Sequence, residues 1–330
     1  PTCREALVKY EQEVYGTQDL DADQIAIGAS STQLLADLLR VLLDGDDKIL
    51  LLDPAYCNYQ PQIVTATDSE IIRFPVLDVE TWEYRADQQI DAFVDLLQRE
   101  RPKMVLLTSP DNPTSQILSH RFVQAAHQAV SDYGGFLVMD FAYKDLVFDE
   151  DKIPEYFSWG PTDNFLSLHS NSKWSRSLGR RLGWLEAGAD IIQALDSIQS
   201  SNILCPDTLH QMALEKYLNQ AIKDGTLKSY IKMTAGDYRR AAEYSVEMIK
   251  KHLSVRFLAP QGGLFVCLEL GLDGASFVEQ TLKETGVLFV PGWGFGKTMK
   301  NGVRLSFGPL VHNLEKIEAG LERVGTFLRS

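Results

Sequence analysis

Apolar residues fall into two rhythms along the chain. Short runs are apolar at nearly every position: IAIG (25–28), KILLLDP (48–54), EIIRFPV (70–76), MVLLTSP (104–110), FLVMDFAY (136–143), NFLSLHS (164–170) and LGWLEAG (182–188). Between them lie longer stretches in which apolar residues recur every three or four positions: TQLLADLLRVLL (32–43), IDAFVDLLQRE (90–100) and RFVQAAHQAVSDYG (121–134). The first rhythm predicts strands covered on both faces, the second amphipathic helices. Their alternation predicts an α/β fold with a mostly parallel sheet and helices on both of its faces.

From Pro206 the texture changes. Helical sequence runs to about His252, broken by a turn at DGT (224–226). Then come VRFLAP, GLFVCLEL, GVLFVPG and VRLSFGP, with helical patterns at 275–285 and 312–328. This half predicts a smaller α+β domain reached through a long helix. No internal repeat or low-complexity tract interrupts either half.

Composition narrows the class without naming a function. The 330 residues are 45% hydrophobic and 23% charged, the profile of a globular protein with ample core. A formal net charge of −13 argues against nucleic acid as a partner, since phosphate backbones need a basic face. No apolar run reaches the roughly 20 residues that span a bilayer, so no membrane partner is expected. Cys3, Cys57, Cys205 and Cys267 lie far apart, with no CxxC pair, and read as reduced thiols rather than metal ligands or disulfides. The chain opens at Pro1 inside a helical pattern, which implies that a natural N-terminal segment is missing, and the cytoplasm is the default location.

In a doubly wound sheet ligands bind beyond the carboxyl ends of the strands, so residues just after the apolar runs matter most. Tyr56 follows KILLLDP, Asn112 follows MVLLTSP, Asp140 ends FLVMD with Tyr143 three residues on, and GASS (28–31) joins IAI to a helix. The stretch LSLHSNSKWSRSLGRRLGW (166–184) sets Lys173 among serines, with Arg176, Arg180 and Arg181 close behind. Taken singly, each has a plain structural explanation: a turn, a helix cap, a solvated charge. The concentration of donors and cations around one lysine in an acidic chain instead points to an anionic ligand.

In chain order the motifs GASS, DPAY, DNPT, DFAY, SNSK and RLG resemble those of the fold-type I pyridoxal 5′-phosphate enzymes, specifically the class I/II aminotransferase family. PQGGLFVCLEL, GVLFVPGWGFG and VRLSF resemble that family's small domain, so the resemblance covers essentially the whole chain. It implies a large cofactor-binding domain at 17–205, with 206–330 and 1–16 forming the interdomain helix and small domain. It implies an enzyme that moves an amino group between an L-amino acid and a 2-oxo acid, working as a homodimer.

The resemblance also implies roles. Lys173 aligns with the lysine that holds the cofactor as a Schiff base and moves protons, and Asp140 with the carboxylate facing the pyridine nitrogen. Asn112 and Tyr143 align with donors to the phenolic oxygen, with Asn112 also on the substrate side, and Tyr56 with the aromatic stacked on the ring. Ala29, Ser30 and Ser31 at a helix N-terminus, Ser170, Ser172 and Arg181 align with the phosphate cup. Arg304, in VRLSF, aligns with the clamp for the substrate α-carboxylate.

Several positions depart from the family pattern. Trp174 follows the lysine where a small residue is usual, and is expected to narrow the site. Phe141 follows Asp140 where an acidic residue is frequent, and Ser115 stands where glycine often ends the NPTG turn. Arg176 and Arg180 receive no role from the resemblance. The same scaffold hosts lyases, decarboxylases and oxidative amino-acid-modifying enzymes, and also a non-catalytic effector-sensing domain of aminotransferase-like regulators. Those readings stay open at the level of sequence.

Overall fold

The computed structural model describes residues 2–329. The seven apolar runs become β1 (Ile25–Gly28), β2 (Lys48–Asp53), β3 (Glu70–Pro75), β6 (Met104–Thr108), β7 (Phe136–Asp140), β8 (Phe165–Ser170) and β9 (Gly183–Glu186), with a small hairpin of β4 (Leu77–Asp78) and β5 (Glu83–Tyr84) beside them. The seven form one sheet in the order β1-β9-β8-β7-β6-β2-β3. All pair in parallel except β9, which runs antiparallel to both of its neighbours. The central strands β6 and β7 are buried along nearly their whole length, whereas the edge strand β3 is largely half-exposed and ends at Pro75. A proline lacks an N–H for the ladder and suits an edge.

Helices cover both faces. On one, α2 (Ser31–Leu42), α3 (Tyr59–Ala66) and α6 (Ala189–Asn202) bury Leu34, Leu38, Ile63 and Leu195 against Ile49, Leu106, Val138 and Leu166. On the other, α4 (Ile90–Glu100) and α5 (His120–Asp132) bury Phe93, Leu97, Phe122 and Val130 against Leu50, Val105 and Leu137. Ser119 caps α5 by accepting from the Phe122 N–H at 3.1 Å, a contact worth about 1 kcal/mol.

A third core joins α1 (Thr2–Tyr15), α7 (Thr208–Lys223), α8 (Leu227–His252), α9 (Gly274–Thr285) and α10 (Glu315–Arg329) to the second sheet. That sheet is antiparallel, in the order β10 (Arg256–Leu258), β11 (Phe265–Glu269), β13 (Gly302–Ser306), β12 (Val290–Pro291). This is the α/β architecture of fold type I: a mostly parallel seven-stranded sheet with a smaller second sheet. None of the described helices is long and apolar enough to cross a membrane.

Strand order sets where a ligand can sit. From β2 the chain moves outward to β3, but from β6 it moves the other way to β7 and β8, so a crevice opens beyond the carboxyl ends of β2 and β6.

Candidate active site

The carboxyl ends of β1, β2, β6, β7 and β8 converge on one cavity of about 120 Å³. Among its lining residues are Ser31, Tyr56, Asn112, Asp140, Tyr143, Ser170, Ser172, Lys173 and Arg181. These residues span 151 positions of sequence, and only the parallel sheet brings them together.

One group lies where α2 begins. Gly183 on β9 pairs with Gly28 on β1 and Ser170 on β8. A Cβ at Gly183 would lie 2.5 Å from the Ser31 nitrogen, so only glycine lets this strand approach the helix start. Ser30 takes a φ of +110° and its side chain makes no capping bond, which leaves the first-turn N–H groups of α2 without a side-chain partner from that residue. Arg181 Nη1 donates to Ser172 Oγ at 3.5 Å and to the Leu178 carbonyl at 3.3 Å, while Ser170 Oγ accepts from the Ser172 N–H. Hydroxyls, a guanidinium and a helix N-terminus make a donor set suited to a phosphate dianion. Of the three residues expected in the helix-start loop, Ser31 lines the cavity together with Thr32; the Ala29 N–H is occupied by Gln33 Oε1 at 2.8 Å.

A second group surrounds Asp140, which is buried. Its Oδ2 accepts from Tyr59 at 2.7 Å and its Oδ1 from the Ala142 N–H at 2.9 Å. Burial pushes this carboxyl up, while the Tyr59 and Ala142 donors and the nearby His169 and Lys173 oppose the rise. Tyr59 also shares a 2.7 Å hydrogen bond with Thr108, and its ring meets Tyr56 edge-on with centroids 5.3 Å apart.

The third group spans the two sheets. Asn112 Nδ2 donates to the Tyr143 hydroxyl at 3.4 Å, and Asn112 Oδ1 accepts from Arg304 Nη1 at 2.6 Å. Arg304 lies between the rings of Phe265 and Phe295, 4.1 and 4.9 Å from their centroids, and its Nε has no partner among the described residues. Lys173 Nζ stands 5.8 Å from the centre of the Tyr143 ring. Its amine is pushed down, first by burial, then by the charges of Arg181 and Arg304, with Asp140 pulling the other way. A lysine in that setting loses its proton more readily and becomes nucleophilic.

The flanking residues separate. Trp174 does not narrow the cavity: it turns into the third core, 1% exposed, and stacks on Tyr10 at 5.4 Å. Arg176 leaves the site for Asp237 (2.6 Å) and His312 (2.8 Å), and Arg180 is exposed. Ser115 adopts a φ of +57°, the conformation that favours glycine, and its Oγ accepts from the Phe265 N–H at 3.2 Å. Tyr59 and Thr108 line the cavity and His169 acts on Asp140 electrostatically, and the sequence reading named none of the three. Tyr59 had a signal, since it sits three residues after Tyr56 in PAYCNY; Thr108 and His169 look like ordinary strand residues.

A half-buried amine of lowered basicity, a buried carboxylate and an anion cup share this single cavity. That is the donor set a phosphorylated pyridine aldehyde requires, so the residues present fit pyridoxal 5′-phosphate. The match to known proteins agrees: residues 1–324 match the family of class I and II aminotransferases. The chain belongs to that family and is a pyridoxal-phosphate-dependent aminotransferase. It is 28% identical over 333 residues to an aspartate aminotransferase of Thermotoga maritima, covering 99% of this chain and 81% of that one. It is 25% identical over 330 residues to an aspartate/prephenate aminotransferase of Thermus thermophilus, covering 98% and 81%. The crystal structure of an aspartate aminotransferase from Thermotoga maritima superposes with a TM-score of 0.85 at 25% identity, over 100% of this chain and 82% of that one.

Proposed function

We propose that Lys173 is the point of covalent attachment for pyridoxal 5′-phosphate, and that the same amine moves the proton at the substrate Cα. The observation that carries this reading is the sharing of one cavity by Lys173, Asp140 and Arg181. Bound pyridoxal phosphate supplies an electron sink beside the substrate Cα. Asp140 holds a proton on the pyridine nitrogen, and the hydrogen bonds from Tyr59 and Ala142 fix the carboxylate for that task. Asn112 and Tyr143 donate toward the phenolic oxygen, and Tyr56 covers the ring face. Ser31, Ser170, Ser172 and Arg181 grip the phosphate, with the Ala29–Ser30 turn setting the start of α2. Arg304, between two aromatic rings, clamps the α-carboxylate and so orients the Cα bond that breaks.

The substrates in this reading are an L-amino acid and a 2-oxo acid, as the names of the relatives suggest. We infer a homodimer as the working form. Leu204, Leu209 and Met212 are exposed, and the adjoining His210 bonds Asn171 and the Arg180 carbonyl of the lysine loop, so an apolar patch abuts the site. Four unpaired cysteines fit a reducing compartment, the cytoplasm.

Two measurements test the proposal. Borohydride should fix the cofactor on Lys173, located by peptide mass spectrometry; fixation at another lysine, or persistence of a fixed adduct in Lys173→Ala, refutes the assignment. A single-turnover panel of amino acids should convert the cofactor to its amine form with release of a 2-oxo acid. Asp140→Asn should slow that half-reaction by about 10²–10³-fold, the cost of removing one preorganised electrostatic contact.

A further inference from the structure

Asp53 ends β2 and is 4% exposed, yet it does not line the cofactor cavity. Its carboxylate faces the small domain. Oδ2 accepts from the Lys297 N–H at 3.1 Å, and Oδ1 from the Thr298 N–H at 3.2 Å and Thr298 Oγ1 at 2.7 Å. Two further bonds cross the same junction: the Ala55 N–H and Arg73 Nη1 both donate to the Phe295 carbonyl, at 2.9 and 3.2 Å. Gly296 has a φ of +153°, and a Cβ there would lie 2.0 Å from Asp53 Oδ1. The loop can therefore reach the carboxylate only with glycine at that position.

The loop held in this way carries Phe295, whose fully buried ring forms one wall of the Arg304 slot. Phe265 forms the other wall, from the neighbouring strand of the small sheet. Between them the guanidinium reaches Asn112, on the large domain, through Nη1. A long, flexible side chain is thereby held by packing on both faces and by one strong hydrogen bond, while its Nε keeps unused donor capacity.

We propose that Asp53 is a positioning residue for the substrate carboxylate: by pinning residues 295–298 across the domain junction, it fixes Phe295, and through Phe295 the Arg304 guanidinium. This rests on the reading of Arg304 as the carboxylate clamp. Aspartate suits the task because all three contacts on it are donors and an ionised carboxylate is acceptor-only. Asparagine would turn an N–H₂ toward one of those donors. Glutamate is one methylene longer and would press on Gly296.

The test compares Asp53→Asn and Arg304→Lys in the holoenzyme. It measures KM and kcat of the amino-group transfer, the dissociation constant of succinate as a non-reacting carboxylate probe, and the cofactor's affinity. Asp53→Asn should weaken succinate and raise KM by about tenfold with cofactor affinity unchanged, and Arg304→Lys should weaken succinate more, since a bidentate contact is lost outright. If Arg304→Lys leaves succinate binding intact, the clamp reading itself fails. If Arg304→Lys weakens succinate and Asp53→Asn does not, the positioning role is overturned while the clamp stands. Equal losses of cofactor and succinate affinity in Asp53→Asn also overturn it, because they mark a general collapse of the site. Should Asp53→Asn not fold, Thr298→Val removes the shortest of the three bonds from the other side and must weaken succinate in the same direction.

Discussion

At the level of single residues, the chemistry depends on environments more than on residue types. Lys173 differs from other lysines because it is half-buried beside positive charges, with Asp140 as counterweight. Removing the stronger of the two charges should therefore be felt at the amine: Arg181→Gln should make Lys173 more basic, so that attachment of pyridoxal phosphate to the cofactor-free protein needs a higher pH. Following the rate of visible absorbance against pH checks this, and an unchanged profile contradicts it. Ser115 makes a different trade. Its positive φ costs a non-glycine residue about 1–2 kcal/mol, partly offset by the hydrogen bond from Phe265 N–H. Ser115→Ala should keep the strain and lose the bond, lowering stability by about 1–2 kcal/mol in urea unfolding. Ser115→Gly loses the bond but relieves the strain, and should lie within about 1 kcal/mol of the parent. The position of this serine was legible as a departure from pattern; its compensation was not, because the partner Phe265 lies 150 residues away.

At the level of elements, strands and most helices were legible because burial on both faces writes continuous apolar runs and one-sided burial writes the helical period. The motifs were legible because a parallel sheet gathers the carboxyl ends of strands that lie far apart in the chain. Three things left no readable trace. The reversed direction of β9 is set by pairing with β8 and β1, and LGWLEAG looks like any buried strand. The eight-residue α3 contains Pro61 and the β-branched run Ile63, Val64, Thr65, which conceals it. The long reach of α1 was hidden too. From that helix Glu11 pairs with Lys144 at 2.6 Å, both nearly inaccessible, and with His169 at 3.4 Å, while Tyr10 and Tyr15 donate to Asp145. Glu11, His169 and Glu186 are close enough to share a cation, but the two imidazole nitrogens face different carboxylates and Lys144 already meets Glu11, which describes an ion-pair network. A buried pair broken on one side leaves a charge without compensation. Lys144→Met should cost about 3–5 kcal/mol, and adding Glu11→Gln should recover most of it. Equal losses in the single and double variants, read from urea midpoints, would remove this pair from the account of how α1 is anchored.

Across the whole molecule the turn 111–116 links the seven-stranded sheet to the small sheet and its flanking loops. Asn112 bonds Arg304, the Pro113 carbonyl accepts from Cys267 Sγ at 3.1 Å, Ser115 bonds Phe265 and Gln261, and Gln116 Nε2 donates to the Ala259 carbonyl at 2.8 Å. Asp111 holds this turn from within by accepting from the Thr114 N–H and hydroxyl, and Thr114 is fully buried. Burial pushes the Asp111 carboxyl up to about 7 from 3.8, with the Thr114 contacts limiting the rise. The folded state then holds this proton more tightly than the unfolded chain does. Where the native state binds more protons, stability falls as pH rises. The Asp111 contribution is thus fully favourable below about pH 4, declines through the window up to about 7, and is flat beyond it, a difference of at most about 4 kcal/mol. Asp111→Asn cannot ionise. It should match the parent near pH 4 and become the more stable of the two as pH rises to 8, the gap opening mainly between 4 and 7. Urea midpoints of both proteins across that range decide the matter: a gap that stays constant with pH would mean that Asp111 is already ionised at pH 4, and that the turn joining the two sheets holds a charged rather than a protonated carboxyl.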